Sequence, residues 1–115
     1  MIVRITFIVA TVLVTAACSK SSNGGSGTTN CNLNVSFSGN VKLILDNNCS
    51  GCHNPITGTD PNARSKWGYD GTYSSAFGKR TQIGSLVGSG AMPPGGIPTA
   101  VRDSITCWVN KGAPN

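Results

Sequence analysis

The stretch Cys49-Ser50-Gly51-Cys52-His53 constrains this chain more than any other part of its 115 residues. It contains two of the five cysteines and the only histidine. Two cysteines three positions apart on a helical turn project their sulfurs to the same side. The histidine follows directly, so its imidazole lies beside them. Whatever else it builds, the fold must therefore hold two thiols and one imidazole in one place.

This C-x-x-C-H spacing is typical of covalent haem attachment, in which each sulfur joins one vinyl group and the histidine binds iron. We predict one covalent haem c, anchored by Cys49 and Cys52, with His53 as the proximal iron ligand. A thioredoxin-type dithiol is one alternative, although such a pair usually follows a strand and opens a helix. A zinc site is another, but it needs two further ligands and the chain has no second histidine.

Apolar spacing predicts three helices. One covers 40–48 with Ser38 as its N-cap, a second covers about 80–88, and a third covers about 99–111. We predict that 54–71 is a surface loop. Tyr73 and Phe77 are spaced to pair on one face. The apolar stripe of the last helix is expected to pack on the first helix, and it consists of Val101, Ile105, Trp108 and Val109.

The first 30 residues read as an export and anchoring segment. Residues 1–17 combine Arg4, a short apolar run and two alanines before Cys18, which is typical of a signal peptide. An apolar run of about ten residues is too short to span about 30 Å of hydrocarbon. Cys18 stands where a bacterial lipobox carries its lipidated cysteine. We predict that 18–30, rich in Gly, Ser and Thr, is a flexible tether and that 31–115 is one domain.

Elimination narrows the choice of residues that could be the second iron ligand. His53 is the only histidine, so ligation by two histidines of one chain is excluded. Met92 is the only methionine left once the signal peptide is removed, and the two prolines after it stiffen the loop that carries it. We predict that Met92 is the distal ligand. The alternative is a methionine that fills a gap in the core.

Two cysteines remain, Cys31 and Cys107, near the two ends of the predicted domain. An exported chain enters an oxidising compartment, which favours a disulfide between them. Two unpaired buried thiols are the open alternative.

Composition excludes several classes of function. Charged residues make up 11% of the chain and all four acids are aspartates, which argues against hydrolysis by paired carboxylates. The net charge of +5 does not indicate nucleic-acid binding, because Lys79-Arg80 is the only run of basic residues. Five residues are candidates to contact haem propionates, with a solvated cationic surface as the alternative: Arg64, Lys66, Trp67, Lys79 and Arg80.

Three features together resemble the small monohaem cytochromes c. They are the helix that leads into C-x-x-C-H, the Met-Pro-Pro loop at Met92 and the ending Trp108-Val-Asn-Lys-Gly-Ala-Pro-Asn115. The ending is similar to that of class I-like cytochrome c domains in lipoproteins of Bacteroidota. The resemblance covers 31–115. It implies an all-α fold of three to four short helices and long loops around one haem c, with His53 and Met92 as iron ligands.

The expected function is that of a lipid-anchored electron carrier, not an enzyme. It implies transient redox protein partners and membrane contact through the lipid on Cys18, with no nucleic acid and no small-molecule substrate. The expected location is the periplasmic face of the outer membrane of a Gram-negative bacterium. Two alternatives stay open. An open distal site would make the domain a haem peroxidase or a gas-binding sensor, and a permanent partner would make it the electron-entry subunit of a larger oxidoreductase.

Overall fold

The computed structural model describes residues 31–115. The predicted signal peptide, Cys18 and the tether lie outside these residues. Within them 58% of the chain is helical and there are no strands, so the expected all-α class is confirmed for this part. No helix between residues 31 and 115 has both the length and the apolar character to cross a bilayer.

The described part consists of seven short helical elements. Several elements follow one another with at most one residue between them, so they group into four helical runs, at 37–53, 61–66, 73–88 and 99–110. The single residues between elements are Cys49 in the first run and Lys79 in the third. In chain order the elements are a π-helix (Phe37–Val41), α1 (Lys42–Asn48), α2 (Ser50–His53), α3 (Pro61–Lys66), α4 (Tyr73–Gly78), α5 (Arg80–Gly88) and α6 (Thr99–Asn110).

The first helical run begins earlier than the sequence predicted. Its N-cap is Ser36 and not Ser38, because the extended backbone at Ser36 lets its side chain accept a hydrogen bond from the Gly39 N–H at 3.0 Å. A Cβ at Gly39 would lie 2.9 Å from the Ser36 hydroxyl oxygen. Glycine at this position therefore leaves room for the cap.

The prediction of a surface loop over 54–71 is wrong in its middle, where α3 lies. Asp60 caps this helix, and its Oδ1 accepts hydrogen bonds from the N–H groups of Asn62 at 2.8 Å and Ala63 at 3.1 Å. Pro61 occupies the first turn, where its fixed φ suits a helix and its missing N–H has no cost. The start signal was present in the sequence, but six residues are too few to show a helical apolar stripe.

The last helix packs mainly on α5. Its expected contact with the first helical run is made at the π-helix that begins this run and not at α1. Gly84 of α5 makes this close approach possible. A Cβ added there would lie 3.2 Å from both methyl groups of Val109 on α6. The predicted pair of Tyr73 and Phe77 is present, with ring centroids 5.3 Å apart.

The C-terminal segment closes the core around Trp108, which is fully buried. The indole N–H of Trp108 donates to the carbonyl oxygen of Pro114 at 2.8 Å. That oxygen also accepts a bond from the N–H of Phe37, while the Tyr73 hydroxyl donates to the Ala113 carbonyl, both at 2.8 Å. The ending thus joins the π-helix, α4 and α6.

A disulfide between Cys31 and Cys107 fixes the start of the described chain to α6, with Cα atoms 5.1 Å apart. Lys111 adds a second link, because its ammonium group donates to the Leu33 carbonyl at 2.6 Å. The segment before the π-helix is therefore held against the last helix at two points.

Candidate cofactor site

A cavity of about 590 Å³ lies between the C-x-x-C-H turn, α3 and α5. Its volume falls within the range of about 300–1,000 Å³ that is usual for small-molecule and cofactor sites. The turn contributes Cys49 and His53, and the α3 region contributes Asp60, Asn62, Ala63, Lys66 and Trp67. Opposite residues come from α5 and its flanks: Lys79, Gln82, Ile83, Ser85, Leu86, Val87 and Met92.

The C-x-x-C-H turn places Cys49 and His53 on one helical face. The His53 N–H donates to the Cys49 carbonyl at 2.9 Å, which is the i to i+4 bond of an α-helix. Both side chains line the cavity, whereas Cys52 is exposed and lies outside the lining. The thiols of Cys49 and Cys52 are both free. The turn thus carries two unpaired thiols, one of them in the cavity wall.

The loop that follows the turn folds back onto it at Gly58. The Gly58 N–H donates to the Asn54 carbonyl at 3.0 Å, and the Thr59 N–H donates to the Gly51 carbonyl at 2.9 Å. A Cβ at Gly58 would collide with the carbonyl oxygens of Cys52 and Asn54. Only glycine fits this position without moving the turn.

The imidazole of His53 is held in one tautomer. Its Nδ1 lies 3.1 Å from the Ala63 carbonyl oxygen and 3.2 Å from the Trp67 carbonyl oxygen. Carbonyl oxygens only accept, so Nδ1 carries the proton and Nε2 of the neutral ring keeps its lone pair. Among the described side chains, Arg102 Nε is the one fully buried polar atom without a hydrogen-bond partner. His53 Nε2 is therefore not buried without a partner in the core. This arrangement is usual for a histidine that binds a metal through Nε2.

Met92 reaches the same cavity from the loop after α5. Its N–H donates to the Leu86 carbonyl at 3.1 Å, which ties the loop to the last turns of that helix. Gly96 adopts a positive φ of 77° and donates to the Pro93 carbonyl at 2.9 Å, so the loop turns back directly after the prolines. The Met92 side chain is 39% exposed and lies at the rim of the cavity.

Two of the five candidate propionate contacts bring free charge to the cavity wall. Lys66 and Lys79 line it from α3 and from the start of α5, and neither forms an ion pair among residues 31–115. Asp60 also lines the cavity, but its carboxylate caps α3. The two ammonium groups are therefore available to an anionic ligand.

The other three candidates are engaged elsewhere. Trp67 lines the cavity, but its indole N–H donates to the Ser75 carbonyl at 3.0 Å. Arg80 donates to the Phe77 carbonyl at 2.8 Å and stacks over the Phe77 ring at 3.9 Å. Arg64 is directed to the Ile56 carbonyl at 3.5 Å. Neither arginine lines the cavity.

The thiol pair does not resemble a reactive dithiol. Burial raises the pKa of Cys49 to about 11, and the neighbouring Cys52 adds to the shift. Redox-active pairs depend instead on a lowered pKa, because the thiolate is the attacking species. Between residues 31 and 115 no three His, Cys, Asp or Glu side chains are grouped as a metal site would require, so the zinc alternative gains no further ligands there.

Sequence reasoning missed the apolar wall that α5 provides. The sequence predicts a helix over 80–88, but it does not indicate that Ile83, Leu86 and Val87 line a cavity. In the structure Leu86 is 44% exposed, whereas Ile83 and Val87 are buried.

No family model, curated protein or solved structure matches this chain.

Proposed function

We propose that this protein is a monohaem c-type cytochrome with a cytochrome c-like fold, which carries single electrons through one covalently bound haem c. The observation that carries the proposal is the presence of three predicted groups in the wall of one cavity: the Cys49 thiol, the His53 imidazole and the Met92 thioether. The proposal includes no reaction on a small-molecule substrate, so we expect no enzymatic activity.

The residues present fit a haem. Ile83, Leu86 and Val87 give the cavity an apolar wall suited to a porphyrin ring. Cys49 and Cys52 are free thiols, as thioether bonds to the two vinyl groups require. An imidazole nitrogen and a thioether sulfur are the axial pair that holds iron in cytochromes c. Lys66 and Lys79 offer positive charge to the two propionates.

Bound haem supplies one-electron exchange between ferric and ferrous iron. The chain supplies the surroundings of that exchange. Carbonyl oxygens at Nδ1 orient His53 and leave its Nε2 available, and the backbone bond to α5 holds the loop of Met92. His53 and Met92 would together hold the iron and leave it no position for a substrate, and methionine ligation would raise its reduction potential. The proposed role is therefore outer-sphere electron transfer.

The proposed setting follows from the sequence. Lipidation of Cys18 would anchor the domain at the periplasmic face of the outer membrane of a Gram-negative bacterium. Redox partners of a mobile carrier bind weakly, through small interfaces. We therefore propose transient redox proteins as partners, with permanent docking to a larger oxidoreductase as the alternative.

The test is covalent haem attachment. The full chain is produced in bacteria with a c-type haem assembly system and analysed by haem staining after denaturing electrophoresis. We expect a stained band in the wild type and none in the Cys49→Ala/Cys52→Ala variant. Gly51→Ala is the matched control inside the motif, because a Cβ there meets no atom within 4 Å.

Carbon monoxide decides between the carrier and a gas-binding domain. A reduced spectrum that carbon monoxide leaves unchanged supports His/Met ligation and the carrier. Ready carbon monoxide binding in the wild type would favour the sensor or peroxidase, for which the rim position of Met92 leaves room. An unstained wild-type band would overturn the haem proposal itself.

A further inference from the structure

A part-buried hydrogen-bond link joins α1 to the segment that holds His53. Tyr69 is fully buried, and its hydroxyl donates to Oδ1 of Asp46 at 2.9 Å. The other oxygen of Asp46 accepts a bond from the Lys42 ammonium group at 2.6 Å. A buried phenol needs such an acceptor, so the position of Tyr69 depends on Asp46.

Tyr69 lies two residues after one of the carbonyls that receive the His53 imidazole proton. Its own N–H donates to the His53 carbonyl at 2.8 Å. Trp67, whose carbonyl oxygen is 3.2 Å from Nδ1, packs its ring 5.0 Å from both the His53 ring and the Tyr69 ring. The segment 67–69 therefore contacts His53 at its backbone, at Nδ1 and at its ring face.

The same aspartate also contacts the C-x-x-C-H turn directly. Ser50, the residue after Cys49, donates its hydroxyl to the backbone carbonyl of Asp46. Asp46 thus touches the turn on one side and, through Tyr69, the segment behind the imidazole on the other. Hydrogen bonds thus join Asp46 to Tyr69, Tyr69 to His53 and Ser50 to Asp46, and the chain from Ser50 to His53 completes the ring.

We propose that Asp46 and Tyr69 are positioning residues that set the hydrogen bond at Nδ1 of His53 and, through it, the reduction potential of the cofactor. This inference rests on the proposed haem. A hydrogen bond to Nδ1 makes the histidine a stronger donor to a metal at Nε2. Stronger donation stabilises the more positive oxidation state, so the intact link lowers the potential.

The protonation states required by the link are those the surroundings favour. Burial, and then the hydrogen bond to Asp46, raises the pKa of Tyr69 far above its ordinary value, so the phenol stays neutral and donates. Burial works against ionisation of Asp46, but the hydrogen bonds from Lys42 and Tyr69 outweigh it and lower the pKa of the carboxyl. Donor and acceptor are therefore both in place at neutral pH.

The experiment compares single variants of the haem-loaded full chain. Two readouts are the midpoint potential and the NMR signal of the His53 Nδ1 proton in the reduced, diamagnetic protein. Tyr69→Phe and Asp46→Ala should each raise the potential, move the Nδ1 signal and speed exchange of that proton roughly two- to tenfold, which corresponds to one weakened hydrogen bond. Asp46→Asn keeps an acceptor for the phenol and should leave the Nδ1 signal near its wild-type position.

Tyr73→Phe is the matched control, because it also removes one tyrosine hydroxyl bonded inside the fold, to the Ala113 carbonyl. It should leave potential and Nδ1 signal unchanged, which separates positioning from a general loss of stability. Lys42→Met removes the charge and the hydrogen bond on the far oxygen of Asp46 but keeps Oδ1 as acceptor for the phenol, so it should also spare the Nδ1 signal.

Haem-loaded Tyr69→Phe and Asp46→Ala with wild-type potential and Nδ1 signal would overturn the inference and leave the proposed function standing. Equal potential shifts in Asp46→Asn and Asp46→Ala, with no shift in Tyr69→Phe and no movement of Nδ1, would replace positioning by a charge effect. A wild type without covalent haem removes both proposals.

Discussion

The indole nitrogen of Trp108 lies 2.8 Å from the carbonyl oxygen of Pro114, six residues further along the chain. Gly112 and Ala113 make this return possible, because both adopt a positive φ, of 83° and 56°. The helix thus ends in a reversal that brings Pro114 back beside the Trp108 side chain. Ala113 is consequently part of the core, and the exposed Pro114 is hydrogen-bonded to the core through its carbonyl oxygen.

Trp108→Phe should destabilise the domain by about 2–3 kcal/mol, through a lost hydrogen bond and a cavity in the core. Urea unfolding monitored by far-ultraviolet circular dichroism measures the change. Asn115→Ala is the control, since this exposed last residue makes no side-chain hydrogen bond among those described. A loss below about 1 kcal/mol would mean that the Pro114 contact contributes little.

Gly58→Ala should distort the C-x-x-C-H turn, because its Cβ would collide with two backbone oxygens. We expect a loss of about 2 kcal/mol or more in the free energy of unfolding, together with a lower yield of covalent haem. Gly51→Ala, in open space on the same turn, should retain both. If the two variants behave alike, the close packing of Gly58 is not what shapes the turn.

Met92→Ala should open the iron to exogenous ligands and lower the midpoint potential, since the thioether favours the ferrous state. Spectra of the reduced variant with and without carbon monoxide check the first effect, and a redox titration checks the second. Leu43→Ala, another exposed apolar residue but outside the cavity lining, serves as control. An unchanged spectrum in Met92→Ala under carbon monoxide would place the distal ligand elsewhere.

The Asp46 carboxylate should make the domain sensitive to acid. Its pKa in the folded state lies below the ordinary value of 3.8, so its contribution to stability is present above that pH and is lost as the pH falls through the lowered pKa. Urea unfolding from neutral pH downward should show a wild-type advantage over Asp46→Asn that disappears at low pH.

Asp103→Asn is the control for this pH series, because Asp103 makes no side-chain hydrogen bond or ion pair within the described part of the chain. It should follow the wild type at every pH. A constant difference between wild type and Asp46→Asn across the series would show that the charge of Asp46 is not the cause.

Loss of the disulfide, in Cys31→Ser/Cys107→Ser, should cost at most about 4–5 kcal/mol, because the bond closes a long loop of the unfolded chain. The bonded cysteines are 76 positions apart. The free energy of unfolding of the double variant provides the measurement, and the wild type with a reductant should approach its value. Covalent haem should persist, since Cys49 and Cys52 take no part in the disulfide.

The sequence predicted α5 and α6 closely, because both have an apolar stripe and clear ends. The predicted 80–88 compares with Arg80–Gly88, and the predicted 99–111 with Thr99–Asn110. The sequence did not predict α3, because a helix of one and a half turns is too short to show an apolar stripe. It also gave the wrong N-cap for the first helical run, because Ser36 and Ser38 differ only in the backbone conformation that each adopts. Local signals suffice for long helices and fail for short ones.

The candidate site also contains features that the sequence predicted and features that it did not. The C-x-x-C-H turn was visible because its chemistry lies in five adjacent residues. The partners of His53 were not, since Ala63 and Trp67 contribute only backbone oxygens, which any residue type offers. The contact of Arg80 with the Phe77 ring was not visible either, because it depends on how α4 and α5 meet. Contacts made by the backbone or between helices do not require a particular residue type, so they cannot be predicted from the sequence alone.

The disulfide also determines how the domain would bear mechanical force. A force applied between residue 31 and the residues after α6 would pass through the bond to Cys107 and into the end of that helix. The chain between these two cysteines carries none of that tension along its backbone. The C-x-x-C-H turn and the Met92 loop both lie inside this bypassed stretch. Such a force would therefore strain the last helix and leave the backbone of the cavity wall without tension.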